Sequence, residues 1–237
     1  MGKNNKEEEN TVPLAEHLNE LRKRLVISFI AVILASIVTF MYVDIIRETI
    51  TAPVKDYLIF GRLAEAFMTN IKIALFSGCL LAFPIILYQA WSFVLPGLKS
   101  SEKKFIVLFV LASLIFFSTG VSFAFFVIIP ISVNFFLGFA TEDLQPFLLF
   151  GDYVSYVSGI IFAFGLVFQL PIVVFILAKL GLVSSAFLKQ SRIYAMVIIF
   201  ITAATITPPD VFSQVLMALP MILLYEISIL AARMVGK

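Results

Sequence analysis

One cysteine, one histidine and few charges mark this chain of 237 residues, and each scarcity closes off a class of chemistry. Cys79 stands alone inside an apolar run, so no internal disulfide can form and a small packing role suits it. His17 is the single histidine, which excludes multi-histidine metal or haem ligation and offers no clear pH switch. Charged residues make up 14% of the chain against 61% hydrophobic. Mean hydropathy is +1.06. A water-soluble domain of this length needs far more polar surface. No His-Glu-x-x-His, Gly-x-Ser-x-Gly or Gly-rich phosphate loop is present, nor paired aspartates within the apolar runs. The sequence therefore carries no signature of an enzyme, a bound cofactor or a nucleic-acid partner. The formal net charge of +2 says little, because the placement of the charges matters more than their sum.

What fills the chain instead is six long apolar stretches with the charges gathered between them, at about residues 25–43, 71–94, 105–129, 156–180, 193–206 and 211–232. An apolar run of roughly 18 residues or more crosses a hydrocarbon core as a helix. The expected fold is a polytopic all-α membrane protein, a single domain over residues 1–237, with no gap long enough for an independent soluble unit. Residues 1–12 are expected to be disordered, and the N-terminus is not expected to be a cleavable signal peptide, because its apolar run is too long and its polar leader, residues 1–24, is unlike a short basic n-region. Pro13 can open a helix, and Leu14, Leu18, Leu21 and Leu25 then recur at helical spacing, predicting a short interfacial helix within residues 1–24 that feeds the first span. The fifth run rises only about 21 Å at 1.5 Å per residue, short of the ~30 Å core. The fifth span, and with it the sixth, is expected to be short. Pro84, Pro171 and Pro220 fall inside spans and are expected to kink them.

Basic residues set the orientation. Arg22, Lys23, Arg24, Lys99, Lys103, Lys104, Lys189, Arg192 and Arg233 collect on one side. The loop after the third span, residues 130–155, has none. The positive-inside rule places both termini in the cytoplasm and makes the loops after the first and third spans external. The second of these carries Phe135, Phe136, Phe147 and Phe150 and is expected to fold back over the outer face.

Polar residues within the spans are few. Glu226 lies within two turns of Arg233, so a carboxylate snorkelling to the inner interface is the plain reading. Gln169 precedes Pro171, where it either satisfies a backbone carbonyl freed by the proline or serves a functional role. The basic face holds two informative carboxylates. Glu20 sits in Glu16-His17-Leu18-Asn19-Glu20-Leu21-Arg22-Lys23-Arg24, and its i, i+4 spacing to Arg24 permits a simple surface pair. Glu102 opens the third span, where it complements the helix dipole. Against these plain readings stands a ligand bearing arginines, whose planar forks suit two carboxylates held at an interface.

At these residues the chain resembles the TatC family, the multispanning core of the twin-arginine protein translocase. The resemblance rests on His17-Leu18-x-Glu20-Leu21-Arg22-Lys23-Arg24, on Gln89-Ala90-Trp91-Ser92-Phe93-Val94-x-Pro96-Gly97-Leu98 followed by Glu102-Lys103-Lys104, and on Thr207-Pro208-Pro209-Asp210-Val211-Phe212-Ser213-Gln214. It implies a receptor for twin-arginine signal peptides in the plasma (inner) membrane. Single-span TatA-like and TatB-like partners in a multi-copy complex would help it export folded proteins, driven by the proton-motive force. It also implies a signal-peptide site at Glu20, Glu102, Phe93, Arg22, Lys103 and Lys104, with the peptide's apolar stretch entering a concave face of kinked spans. Pro53, Asp210 and Gln214 resemble family positions needed for assembly, partner contact or transport. Gln169 stands where many members carry glutamate, which leaves it a polar rather than a charge-dependent role. The rival reading, a secondary transporter of a small solute, calls for polar side chains near mid-membrane, and the sequence has few.

Overall fold

Hydrocarbon offers backbone N–H and C=O groups no water, so each apolar run must close its hydrogen bonds internally, as a helix. The computed structural model, which describes residues 14–94, 106–141, 143, 145–207 and 210–235, takes this form. Its elements are α1 (Leu14–Met41), α2 (Val43–Thr51), a 3-10 turn (Ala52–Tyr57), β1 (Leu58–Ile59), α3 (Glu65–Val94), α4 (Ile106–Phe123), α5 (Ile129–Leu137), β2 (Leu148–Leu149), α6 (Phe150–Val167), α7 (Leu170–Lys179), α8 (Ser185–Gln190), α9 (Arg192–Ile206) and α10 (Val211–Met234). Five helical stretches are long and apolar enough to cross a membrane: Leu18–Met41, Glu65–Phe93, Val107–Leu137, Phe150–Lys179 and Val211–Met234. A sixth apolar helix, Arg192–Ile206, is shorter.

Two expectations need correction. The leucine stripe at residues 14–25 does not form a separate interfacial helix. It is the first part of α1, which runs unbroken for 28 residues because no glycine or proline interrupts it. The sixth run is not short either: α10 has 24 residues, about 36 Å at 1.5 Å each. The fifth has 15, about 22 Å.

The prolines act unequally. Pro84 and Pro220 lie inside α3 and α10 without ending them. Pro171 lacks the N–H that would reach the carbonyl of Val167, and the helix stops there and restarts as α7 after Phe168-Gln169. Pro130 follows a π turn over Ala124–Ile128, in which the Ile129 N–H bonds back to the Ala124 carbonyl; this joins α4 and α5 into one rod. Gly181, at φ 77°, ends α7 in the left-handed conformation that a side chain would resist.

α6 is the centre of the bundle. Its Val154, Val157, Ile160 and Phe164 are fully buried against Ile73 of α3, Ile128 beside α5, Ala203 of α9 and Met217 and Met221 of α10. A second cluster, Phe83, Leu87, Trp91, Phe117, Ile172 and Ile176, joins α3, α4 and α7. α1 packs chiefly on α3, antiparallel, with Leu25, Phe29, Leu34 and Ile37 exposed along its outer face. Lipid is as apolar as these side chains, so close backbone approach rather than a hydrophobic drive must seat α1. Thr39 Oγ1 donates to the Ala74 carbonyl at 2.7 Å, and Gly78 lies directly against Ser36.

The loops after the first and third runs dock on each other. β1 and β2 form a two-residue parallel pair, Leu58 beside Leu148 and Ile59 beside Leu149. Phe150 is buried and Phe135 stacks on Phe212, but Phe147 and Phe139 remain exposed. Glu65 ties the junction: its Oε2 accepts the Gly61 N–H at 2.7 Å and its Oε1 the Gly151 N–H at 3.0 Å. Glu65→Ala is expected to speed amide exchange at residues 58–61 and 148–151 several-fold, measured by hydrogen exchange, with Glu65→Gln intermediate. Exchange left at the wild-type rate would show that the strand pair holds without the carboxylate.

Candidate functional site

Glu20 lies one turn before Arg24 on α1, and the spacing that permits a pair does produce one. Arg24 Nη2 meets Glu20 Oε1 at 2.5 Å and Nε meets the same oxygen at 3.1 Å. Arg24 Nη1 reaches across to Gln89 Oε1 of α3 at 3.3 Å. The Arg24 side chain is 21% exposed and that of Glu20 35%, so the pair sits in the seam between α1 and α3. Arg22 and Lys23 point outward and are exposed. Phe93, one turn beyond Gln89, is half-buried near the end of α3. Glu102, Lys103 and Lys104 lie outside the described residues, as do the tail 1–12, Pro13, Pro208 and Pro209.

The remaining expected positions stand elsewhere. Pro53 is exposed and opens the 3-10 turn beyond α2, at the opposite end of the bundle from Glu20. Asp210 caps α10, its Oδ1 accepting the Ser213 N–H at 2.7 Å, while its buried Oδ2 has no hydrogen-bond partner among the described residues. Beside it Ser132 bonds Tyr156 and approaches Ser213 at 3.4 Å, joining α5, α6 and α10. Gln214 donates to the Phe200 carbonyl of α9 at 3.1 Å and borders a shallow groove of about 380 Å³ walled by Ile193, Met196, Val197, Phe200, Ile201 and Ala204.

Gln169 occupies the break between α6 and α7 and is 7% exposed. Its Nε2 donates to the Ser113 carbonyl of α4 at 3.0 Å, not to the carbonyl that Pro171 frees in its own helix. Its Oε1 is buried without a partner among the described residues. Ser113 Oγ in turn accepts the Trp91 indole N–H at 2.9 Å, so one serine ties α3, α4 and the α6–α7 break together. Glu226 pairs with Arg192 at 2.6 Å rather than with Arg233, and Tyr225 Oη donates to the Leu188 carbonyl at 2.7 Å; the two bonds fasten the α8–α9 corner to α10. The larger cavity, about 520 Å³ at the α5–α6 end, has apolar walls apart from Asp152, Tyr153 and Tyr156.

Sequence reasoning gave no role to Gln89, Trp91, Ser113 or Glu65. Gln89 and Trp91 belong to the motif that carries the resemblance, and that was their one signal. Ser113 is a lone serine in an apolar run and gives none.

Residues 16–220 match the family model described as Sec-independent protein translocase protein (TatC). The Sec-independent protein translocase protein TatC of Carboxydothermus hydrogenoformans is 46% identical over 232 residues, covering 96% of this chain and 96% of that protein. The TatC of Aquifex aeolicus is 40% identical over 233 residues, covering 95% and 97%. A crystal structure of a twin-arginine translocase receptor, TatC, superposes with a TM-score of 0.86 at 38% identity, over 93% of this chain and 100% of that one. Matched over nearly its whole length in both sequence and fold, this multi-pass helical membrane protein belongs to the TatC family.

Proposed function

We propose that this chain is the receptor subunit for twin-arginine signal peptides in a translocase that exports folded proteins, and that Glu20 and Glu102 accept the arginine pair. One observation carries the reading at the residue level: the Glu20 carboxylate, half-sheltered between α1 and α3, already holds a guanidinium. A carboxylate that holds the guanidinium of Arg24 has the chemistry to hold that of a peptide. Phe93, Arg22, Lys103 and Lys104 complete the site, with Phe93 offering an apolar surface to residues flanking the arginines. The role is binding and scaffolding, without catalysis.

In this reading six helices cross the membrane, α9 included, and both termini face the cytoplasm of a bacterial inner membrane. The basic residues Arg24, Lys189, Arg192 and Arg233 then lie on one side. With α9 about 8 Å short of a ~30 Å hydrocarbon core, the bilayer beside it thins locally. TatA-like and TatB-like single-span partners pack along the membrane face, where the Gln214 groove offers them an apolar seat with one polar side chain at its border; Gln169, buried at the α6–α7 break, acts from inside the bundle. Proton-motive force drives transport.

The test is binding of a twin-arginine signal peptide to the protein in nanodiscs, beside the same peptide carrying two lysines. A clear preference for arginine, lost in a stable Glu20→Ala, Glu102→Ala double variant, supports the receptor and its site. Equal binding of both peptides, repeated with the single-span partners present, rejects it.

A further inference from the structure

Three basic residues follow Glu20 on α1, and among the described residues Arg24 alone pairs with it. Arg22 and Lys23 lie on the exposed side of α1. Arg24, one turn on, shares the Glu20 face. Gln89 of α3 receives its remaining nitrogen, so Nε, Nη1 and Nη2 are all engaged. Both nitrogens that reach Glu20 converge on Oε1; no described residue uses Oε2. One oxygen of the carboxylate proposed to receive a peptide arginine is thus already held by an arginine of the same chain, which stands in the way of a bidentate fork.

We infer that Arg24 is an internal competitor for the signal peptide's arginine, an autoinhibitory contact that raises the threshold for binding at Glu20. The inference rests on reading Glu20 as a signal-peptide contact. An incoming guanidinium replaces Arg24 in kind, planar fork for planar fork. A lysine ammonium is a point charge and does not restore the same bonds. Arg24 holds Oε1 and adds its positive charge against either peptide, so its removal is expected to strengthen both by a similar factor and to leave their ratio nearly unchanged. Its effect is to hold weak ligands below useful affinity while arginine pairs still bind.

The experiment measures affinities of twin-arginine and twin-lysine peptides for the full chain in nanodiscs. Arg24→Gln is expected to tighten both about fivefold, as removal of a competing ion pair of about 1 kcal/mol requires. Lys23→Gln removes the same formal charge without touching Glu20 and is expected to change either affinity less than about twofold. Gln89→Ala loosens Arg24 and shifts both affinities the same way by a smaller factor; it stands in should Arg24→Gln fail to accumulate. Unchanged or weaker binding in both variants overturns the inference and makes Arg24 a structural or positioning residue. Equal tightening in Lys23→Gln also overturns it, in favour of a general charge effect. If the wild-type chain itself shows no preference for arginine, the receptor reading fails and the inference with it. Preference retained with Arg24 inert removes the inference alone.

Discussion

Glu20→Gln lowers the affinity for a twin-arginine peptide by roughly ten- to a hundredfold. Glutamine keeps the shape and one acceptor oxygen but loses the charge. A hydrogen bond to a charged group contributes about 1.5–3 kcal/mol, and each 1.4 kcal/mol is a factor of about ten. The exposure of Glu20, 35%, argues for the lower half of that range, since solvent screens the pair. The released Arg24 then adds a fixed positive charge beside the incoming arginines. Glu20→Lys places a second cation there and is expected to abolish measurable binding. The helix itself is not at risk, because α1 is seated on α3 at Ser36 and Thr39, well along the helix from Glu20. Fluorescence anisotropy in nanodiscs, with thermal stability as a control, reads the effect. Wild-type affinity in a stable Glu20→Gln protein would remove Glu20 from the site.

The largest effect on the fold is expected at Gly78. A Cβ built there comes within 2.6 Å of the backbone N and Cα of Ser36, a separation that real Cβ atoms do not show. Backbone cannot step aside as a side-chain tip can, so α1 must move bodily away from α3. Van der Waals contact between closely approaching backbones is what seats a helix in lipid, and α1 packs chiefly on α3. Gly78→Ala is expected to destabilise the protein by about 1–3 kcal/mol, the usual range for overpacking. Gly78→Leu is expected to prevent accumulation of folded protein in the membrane. Size-exclusion profiles after a heating series measure both. Displacement of α1 also separates Arg24 from Gln89, so the Gly78→Ala protein should show altered peptide affinity as well as lower stability. A Gly78→Leu protein of wild-type stability would mean that α1 does not depend on this contact.

The apolar runs were legible because each is a local property. Hydrocarbon forces any sufficiently long run into a helix whatever its neighbours do, so the helical membrane class and the rough positions of α3, α4, α6, α7, α9 and α10 follow from composition along the chain. Asp210 as a cap before α10 was likewise within reach, since capping is settled within three residues. Glu20 with Arg24 was readable as a possible pair for the same reason, the one-turn spacing on a helix.

What only the tertiary structure decided are the contacts between helices. Arg24 has a third partner in Gln89, 65 residues away; Gln169 bonds α4 at Ser113 instead of its own helix; Glu226 chooses Arg192, 34 residues distant, over the nearby Arg233. Glu65 joins two loops through Gly61 and Gly151. Each sequence-level assignment favoured the nearest residue along the chain, because a linear pattern measures no other distance. The packing of α1 on α3 and of the bundle around α6 brings remote groups together, and polar groups at those contacts take the partner that packing supplies; for Gln169, buried beside α4, leaving the amide N–H unbonded in an apolar interior is the costlier state.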